Sequence, residues 1–405
     1  MKKALVLAGG QPQIELIKEL KKRGYFVILA DYYENPIARE YADRFYQKST
    51  LDIDAMRAIA INEQVNMIIT CCTDQALAVV SQLSEELHLP CYVGSDIGLW
   101  VTNKQYMKEL FTKNGIPTAS HQIVKSYDEV TAKQFPLIVK PVDCNSSKGV
   151  VKVYSDEQLK EAITNAVAFS RTHTAVVEQF IDGQEISVDL FVKNGKAQLL
   201  CLSCNEKIPS EHKFVIYKNR YLIERTDTLA TKIEQVAQKI VDAFGLVNCP
   251  MLMQLLHKDG DIWVIEFSAR TGGCVKYRMI ELASGVNIIK ATVDLFENKL
   301  PDIQPHQPSN YIANEFIYCN NGVFSHLEGF EECKDTGIIE NYYPLKTKGM
   351  SLTGVNSSGD RIAAVTYVAG SYEDYVNKHN EFINKVKVID TDGNDIMRHD
   401  LLPSL

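Results

Sequence analysis

Two apolar runs, residues 250–256 and 263–267, each carry a side chain that a buried strand rarely tolerates: Gln254 in the first and Glu266 in the second. An unpaired buried charge is very costly, so a carboxylate in such a run must face a counter-charge or a polar ligand. Asp259-Gly260-Asp261 between the runs reads as a tight hairpin turn. Pairing the runs brings Gln254 and Glu266 together, and the chain continues through Ser268, Arg270, Gly272 and Gly273. Two hard oxygen donors on neighbouring strands suit Mg²⁺ bound with the phosphates of a nucleotide. The hairpin therefore points to a fold that handles ATP.

At 405 residues the chain has room for roughly two to three domains and a sizeable core. It is 45% hydrophobic and 23% charged, ordinary for a soluble globular protein. A net charge of −8 without a basic stripe argues against a nucleic-acid partner. The apolar run behind Lys2-Lys3 stops at Gly9-Gly10 and reads as a first strand, not a signal peptide. No apolar run reaches membrane-spanning length, so no membrane partner is expected. Ten scattered cysteines in a long chain suit a reducing cytoplasm, the expected location. Cys201 and Cys204 form a lone C-x-x-C with no second pair at zinc-site spacing. They read, like Cys71 and Cys72, as buried bystanders.

Strands and helices alternate at the start: strands at 4–7, 25–30, 67–70 and 91–93, helices at 13–23, 54–63 and 75–87. This predicts a doubly wound parallel α/β domain over 1–95. Gly9-Gly10 and Asp31 invite a nicotinamide dinucleotide reading, but Ala8-Gly9-Gly10-Gln11-Pro12-Gln13 lacks the G-x-G-x-x-G spacing. A structural turn is expected there instead. A helix at 103–114 precedes an antiparallel α+β unit at 136–192 with one helix at 155–171. A long amphipathic helix at 228–244, the hairpin, and helices at 276–284 and 287–297 follow. The proline-rich segment 301–308 reads as a linker. Beyond it, strands at 311–318, 338–344, 361–369 and 386–389 with a helix at 372–384 predict a C-terminal, mainly-β α+β domain.

Phe135-Pro136-Leu137-Ile138-Val139-Lys140 is an apolar strand ending in a lysine, placed to meet phosphate as a point charge. In the loop after it, Asn145, Ser146, Ser147 and Gly149 are small enough for backbone N–H groups to close over phosphates. Further on, two apolar strands meet at Asp182-Gly183, with Glu178 and Glu185 on opposite sides of the joint. Extended backbone at such a joint can offer an N–H and a C=O to an adenine edge, and a carboxylate past it can accept from ribose hydroxyls.

In this order and spacing, the lysine strand with its loop, the Glu–hinge–Glu segment and Gln254…Glu266-x-Ser268-x-Arg270 resemble the ATP-grasp superfamily. The resemblance implies an N-terminal pre-ATP-grasp α/β domain (1–95), a central ATP-grasp domain (96–300) with a lid subdomain near 118–185, and a C-terminal domain (301–405). The first is similar to the domain that precedes the module in carbamoyl phosphate synthetase, biotin carboxylase and purine-pathway ligases. The last is similar to that of L-amino acid ligase-like members. The implied roles are specific. Lys140 and Lys104 would bind the nucleotide phosphates, and the 145–149 loop, with Asn145, Ser146, Ser147 and Gly149, would cover them. Glu178, Gln179 and Ile181 match the adenine hinge, and Glu185 the ribose carboxylate. Gln254 and Glu266, with Ser268, match the ligands of Mg²⁺ or Mn²⁺. Arg270 matches the arginine that stabilises an acyl phosphate or grips a substrate carboxylate. Lys207 lies where related ligases place substrate-facing residues, within reach of the transferred phosphoryl group, and His212 in the same charged segment reads as solvated.

Two positions depart from the family's pattern: the lid has Gly149 alone behind two serines, and Ser268 stands where Asn is common and is a poorer metal ligand. The expected activity is an ATP-dependent carboxylate–amine ligase that phosphorylates a carboxylate to an acyl phosphate for attack by an amine, releasing ADP and phosphate. The alternatives are a bicarbonate-phosphorylating enzyme like one half of carbamoyl phosphate synthetase, a phosphoribosylglycinamide synthetase-like enzyme, and a nucleotide-binding regulatory protein that has lost turnover. Small-molecule carboxylate and amine partners are expected, and a homodimer is the default from the prevalence of two-fold oligomers.

Overall fold

The computed structural model describes residues 1–144, 147–209, 214–222, 227–306 and 308–405. The chain opens with β1 (Lys3–Leu7), α1 (Gln11–Lys22), β2 (Phe26–Asp31), β3 (Arg44–Gln47), α2 (Ile53–Glu63), β4 (Met67–Ile69) and α3 (Asp74–Glu86). The four strands make a parallel sheet of order β3-β2-β1-β4. Its central strands are near-continuous apolar runs, as strands covered on both faces must be, with Leu5, Val6, Ile28, Leu29 and Ile68 wholly buried. The strand expected at 91–93 does not form. Pro90 precedes it, and Tyr92 instead packs edge-on against Phe296, ring centroids 5.1 Å apart, and donates its hydroxyl to the Ala269 carbonyl at 3.0 Å. The fourth strand is β3, a partly exposed edge whose Arg44-Phe45-Tyr46-Gln47 lacks the apolar pattern of a buried strand.

Two helices, α4 (Ser95–Trp100) and α5 (Lys104–Lys113), lead into β5 (His121–Val124), β6 (Leu137–Pro141), β7 (Val151–Val153), α6 (Asp156–Phe169) and β8 (Ala175–Gln179). These strands form an antiparallel sheet of order β5-β8-β6-β7, with Leu159, Ile163 and Ala166 of α6 packed on its apolar side. This is the lid.

The chain then runs through β9 (Gln184–Lys193), β10 (Lys196–Lys207), β11 (Ile216–Tyr221), α7 (Asp227–Phe244), β12 (Cys249–Lys258), β13 (Asp261–Ser268), α8 (Lys276–Ser284) and α9 (Ile288–Phe296). After the proline-rich segment come β14 (Tyr311–Ile317), β15 (Gly322–Glu328), α10 (Phe330–Asp335), β16 (Asn341–Pro344), β17 (Ser351–Leu352), β18 (Ala363–Ala369), α11 (Tyr372–Lys385) and β19 (Lys387–Asp390). One eight-stranded sheet has the order β13-β12-β9-β10-β11-β14-β18-β16, so strands from both sides of 301–308 hydrogen-bond in a single sheet through the β11–β14 pair. β17, β15 and β19 make a separate three-stranded sheet.

α7 places Ile233, Val236, Ala237, Ile240, Val241 and Phe244 on one stripe, which covers Ile186, Val188, Met251, Met253 and Leu255 of the large sheet. The β12–β13 turn holds Asp259 at φ 51° and Gly260 at φ 83°, the paired left-handed residues of a two-residue hairpin. The N-terminal domain docks on α9 through Arg23, whose guanidinium lies 2.7 Å from Asp294 and 2.9 Å from Glu297. Cys201 and Cys204 are buried on β10. No helix among the described residues is long and apolar enough to cross a membrane.

Candidate active site

Strand alternation gives the middle of the large sheet two different faces. On β9, Ile186, Val188 and Leu190 join the core under α7, so Glu185, Ser187 and Asp189 point the opposite way. Register extends that polar face across the sheet: Ser203 lies opposite Ser187, Ser187 opposite Gln254, and Gln254 opposite Glu266. The next rank includes Asp189, Leu252 and Ser268. Gln254, Glu266 and Ser268 thus belong to one continuous polar surface that also carries Glu185.

Around Glu266 the charges converge. Its carboxylate, 34% exposed, lies 3.2 Å from the Lys104 ammonium, which also donates to the Cys144 carbonyl at the root of the lid loop at 2.9 Å. Burial would push Lys104 down, but Glu266 and Asp74 together outweigh it and the ammonium is held above its ordinary value. Thr102, Leu252, Ser268, Arg270 and Asp74 line the same narrow cleft. Arg270 grips Asp74 as a fork, Nε to Oδ1 at 2.7 Å and Nη2 to Oδ2 at 2.5 Å, and its Nη1 donates to the Thr271 carbonyl at 2.8 Å. Burial opposes the Asp74 charge, yet Arg270 keeps that carboxyl below its ordinary value. Behind this loop Lys276 pairs with the buried Asp189 at 3.3 Å and donates to the Ser203 hydroxyl. A Cβ on Gly272 would come within 2.6 Å of Lys276 and 3.0 Å of Asp189, so the loop rests directly on that pair.

Within the β5-β8-β6-β7 sheet, Lys140 is 4% exposed and its Nζ is 2.7 Å from Glu178 Oε2. Glu178 is turned inward, not towards the hinge edge: Lys108 holds its other oxygen at 2.8 Å. Burial works against this carboxylate, but the two ammoniums keep it at about 2. In the segment expected to form the hinge, the Gln179 N–H bonds Ser120 O at 3.0 Å and the Phe180 N–H bonds Pro136 O at 3.2 Å. Glu185 is already held from both sides, by Lys207 at 2.6 Å and by the Asn205 amide at 2.7 Å. Ser147 donates to the Phe214 carbonyl at 3.1 Å, and the Lys207 ammonium sits 4.7 Å from the centre of the Phe214 ring, so the lid loop and Lys207 meet at one residue. Gly149 has φ 70°, and a Cβ there would lie 3.0 Å from Pro141. Asn145, Ser146 and His212 lie outside the described residues.

The structure therefore gathers Lys104, Glu266, Ser268 and Arg270 at one cleft, Lys140 and Glu178 on adjacent strands β6 and β8, and Lys207 with Glu185 on the polar face of the large sheet. Lys108, Asp74, Lys276 and Asp189 were not singled out from the sequence. Lys108 had a visible signal, being four residues after Lys104 on the same helical face. Asp74 had none, since its partner is 196 residues away. Among the described residues no three His, Cys, Asp or Glu side chains gather as a metal cluster. One carboxylate and one amide oxygen on facing strands do fit Mg²⁺, which takes few protein ligands and fills its shell with phosphate oxygens and water.

Residues 133–277 match the ATP-grasp domain family. This chain carries an ATP-grasp domain. It is 28% identical over 227 residues to the D-alanine–D-alanine ligase of Acetivibrio thermocellus, covering 49% of this chain and 58% of that ligase. The chain spans about half the length of the curated relatives it matches. The crystal structure of an L-amino acid ligase from Bacillus licheniformis superposes with a TM-score of 0.79 at 20% identity, covering 96% of this chain and 99% of that one. The biotin carboxylase domain of the Hydrogenobacter thermophilus 2-oxoglutarate carboxylase, solved with MgADP and bicarbonate, gives 0.79 at 15% identity, covering 99% and 92%. At these identities the two structures establish the shared fold: an N-terminal parallel α/β unit, the ATP-grasp core and the antiparallel strands beyond it.

Proposed function

We propose that the protein is an ATP-dependent carboxylate–amine ligase that phosphorylates a small carboxylate to an acyl phosphate, which an amine then attacks, releasing ADP and phosphate. The observation that carries this reading is the meeting of Glu266, Lys104 and Arg270 at one cleft, with Gln254 opposite Glu266 on the neighbouring strand. A carboxylate oxygen is a poor leaving group, and phosphorylation makes it a good one. Phosphoryl transfer needs positioning and charge neutralisation more than covalent help from the protein.

Each residue has a part in that reading. Lys104 and Lys140 bind and orient the phosphates. Glu266 and Gln254 would hold Mg²⁺, which when bound neutralises phosphate charge. Ser268, buried at the strand's end, makes a weak further ligand. Arg270, at the lining of the cleft, would stabilise the anionic charge that develops on the substrate carboxylate during transfer. The hinge backbone at Gln179 and Ile181 meets the adenine edge, Glu185 the ribose and Lys207 the γ-phosphate. The loop bearing Asn145, Ser146, Ser147 and Gly149 excludes water, because a hydrolysed acyl phosphate consumes nucleotide without product. The ligases among the relatives support a carboxylate and an amine as substrates. Ten free thiols suit a reducing cytoplasm, and a homodimer is the expected assembly.

The test is a coupled ADP-release assay with Mg²⁺ and ATP over a panel of amino acids and small carboxylates, with and without amines. Release that needs both a carboxylate and an amine is the expected result. Release driven by bicarbonate alone would replace this reading with a bicarbonate-phosphorylating one. Nucleotide binding with no turnover across the panel would leave a regulatory protein.

A further inference from the structure

Lys108 has no role in the reading above, yet it is 0% exposed and sits inside the nucleotide region. Its ammonium is 2.8 Å from Glu178 Oε1, donates to the Thr118 hydroxyl at 2.5 Å, and reaches the Val264 carbonyl at 3.5 Å. Lys140 takes the other oxygen of the same carboxylate at 2.7 Å. Two ammoniums thus share one carboxylate, and the cluster holds one positive charge in excess.

The other groups around it do not cancel that excess. His121 on β5 lies opposite Glu178 in register, and burial pushes its imidazole below the ordinary value, so it is neutral. Glu266 on β13 is engaged by Lys104. An uncompensated buried cation is costly to keep unless an anion completes the site. Burial accordingly pushes the Lys108 ammonium down to about 8, against the pull of Glu178.

We propose that Lys108 is a positioning residue of the nucleotide site: by occupying one oxygen of Glu178 it leaves the positive charge of Lys140 in surplus for the polyphosphate, without touching the nucleotide. The inference rests on the nucleotide-site reading above. Without Lys108, Glu178 and Lys140 would match one to one and the pocket would present no net charge. At the effective dielectric of such a site, losing one unit charge several ångströms from a phosphate weakens binding on the order of ten- to a hundredfold.

The test is calorimetric titration of the full chain with Mg²⁺ and a nonhydrolysable ATP analogue, using wild type, K108M, K108R, K140M and the double variant K108M/E178Q. K108M and K140M should each bind more weakly by that factor. K108R keeps the charge and should stay within a few-fold of wild type. The double variant removes the carboxylate together with its partner, frees the Lys140 charge, and should recover most of the affinity. Between pH 7 and 9 wild-type affinity should fall as Lys108 loses its proton, whereas K108R should not change. A merely structural lysine would give neither the recovery nor the pH profile. A K108M that binds like wild type beside a weakened K140M would overturn this inference and leave the functional reading standing. A double variant as weak as K108M, or as weak as K140M if K108M does not fold, would overturn it too. A wild type that binds no nucleotide would overturn both.

Discussion

Glu266→Ala should cut substrate-dependent ADP release by on the order of 10²–10³-fold or more, while the thermal midpoint and circular dichroism stay close to wild type. Both halves follow from where the side chain sits. Glu266 is the one carboxylate in the row Ser203–Ser187–Gln254–Glu266, so its loss leaves Gln254 as the remaining oxygen donor of that row able to hold a cation. It is also a third exposed, and its partner Lys104 keeps the Cys144 carbonyl as a second acceptor, so the fold does not depend on the pair. Glu266→Gln, which preserves shape and removes charge, should fall between alanine and wild type. Turnover that survives Glu266→Ala would remove the metal assignment.

Arg270→Met should be the most destabilising of these substitutions, by about 3–5 kcal/mol, and should also be inactive. Arg270 and Asp74 are each 12% exposed in their side chains and pair as a fork between the ATP-grasp core and the N-terminal domain. Removing the guanidinium leaves Asp74 buried without its arginine. Asp74→Asn/Arg270→Met should recover much of the stability and none of the activity, separating the two roles of the arginine. The pH dependence has a definite sign. The Asp74 carboxyl is held below its ordinary value, so the pair's stabilisation is complete above the usual carboxylate range and is lost as pH falls through the lowered value. The gap in thermal midpoint between wild type and Arg270→Met should therefore be widest near neutral pH and narrow in acid. A loss of stability of under about 1 kcal/mol on Arg270→Met at neutral pH would mean the fork is no more than a surface ion pair.

The parts of the fold that were legible beforehand are those where local pattern and tertiary burial agree. The stripe of α7 and the Asp259-Gly260 turn are local signals that packing reinforces, and both stand where expected. The segment 91–93 misled because three residues of apolar character after Pro90 look like a strand, while a tertiary contact of Tyr92 with Phe296 and Ala269 decided its course. β3 was hidden for the opposite reason, since an edge strand has no buried face to advertise. The merging of the C-terminal strands into the large sheet depends on the β11–β14 pairing, which spans nearly a hundred residues and leaves no trace in either strand alone.

At the site, legibility followed sequence distance in the same way. Gln254 and Glu266 are linked by a tight turn, so their register could be read. The counter-charges could not. Asp74 meets Arg270, Asp189 meets Lys276, and Lys108 meets Glu178 only once elements distant in sequence have packed. The inward turn of Glu178 illustrates the gap best, because a residue at the expected hinge position pairs its side chain with two lysines from other elements.

A crystal structure of the full chain with Mg²⁺ and a nonhydrolysable ATP analogue tests the central claim most directly. The account predicts a cation about 2.0–2.1 Å from oxygens of Glu266 and Gln254, with the polyphosphate between Lys104 and Lys140 and the base against the hinge at Gln179–Ile181. A nucleotide bound elsewhere, or a cation coordinated by neither Glu266 nor Gln254, would contradict it.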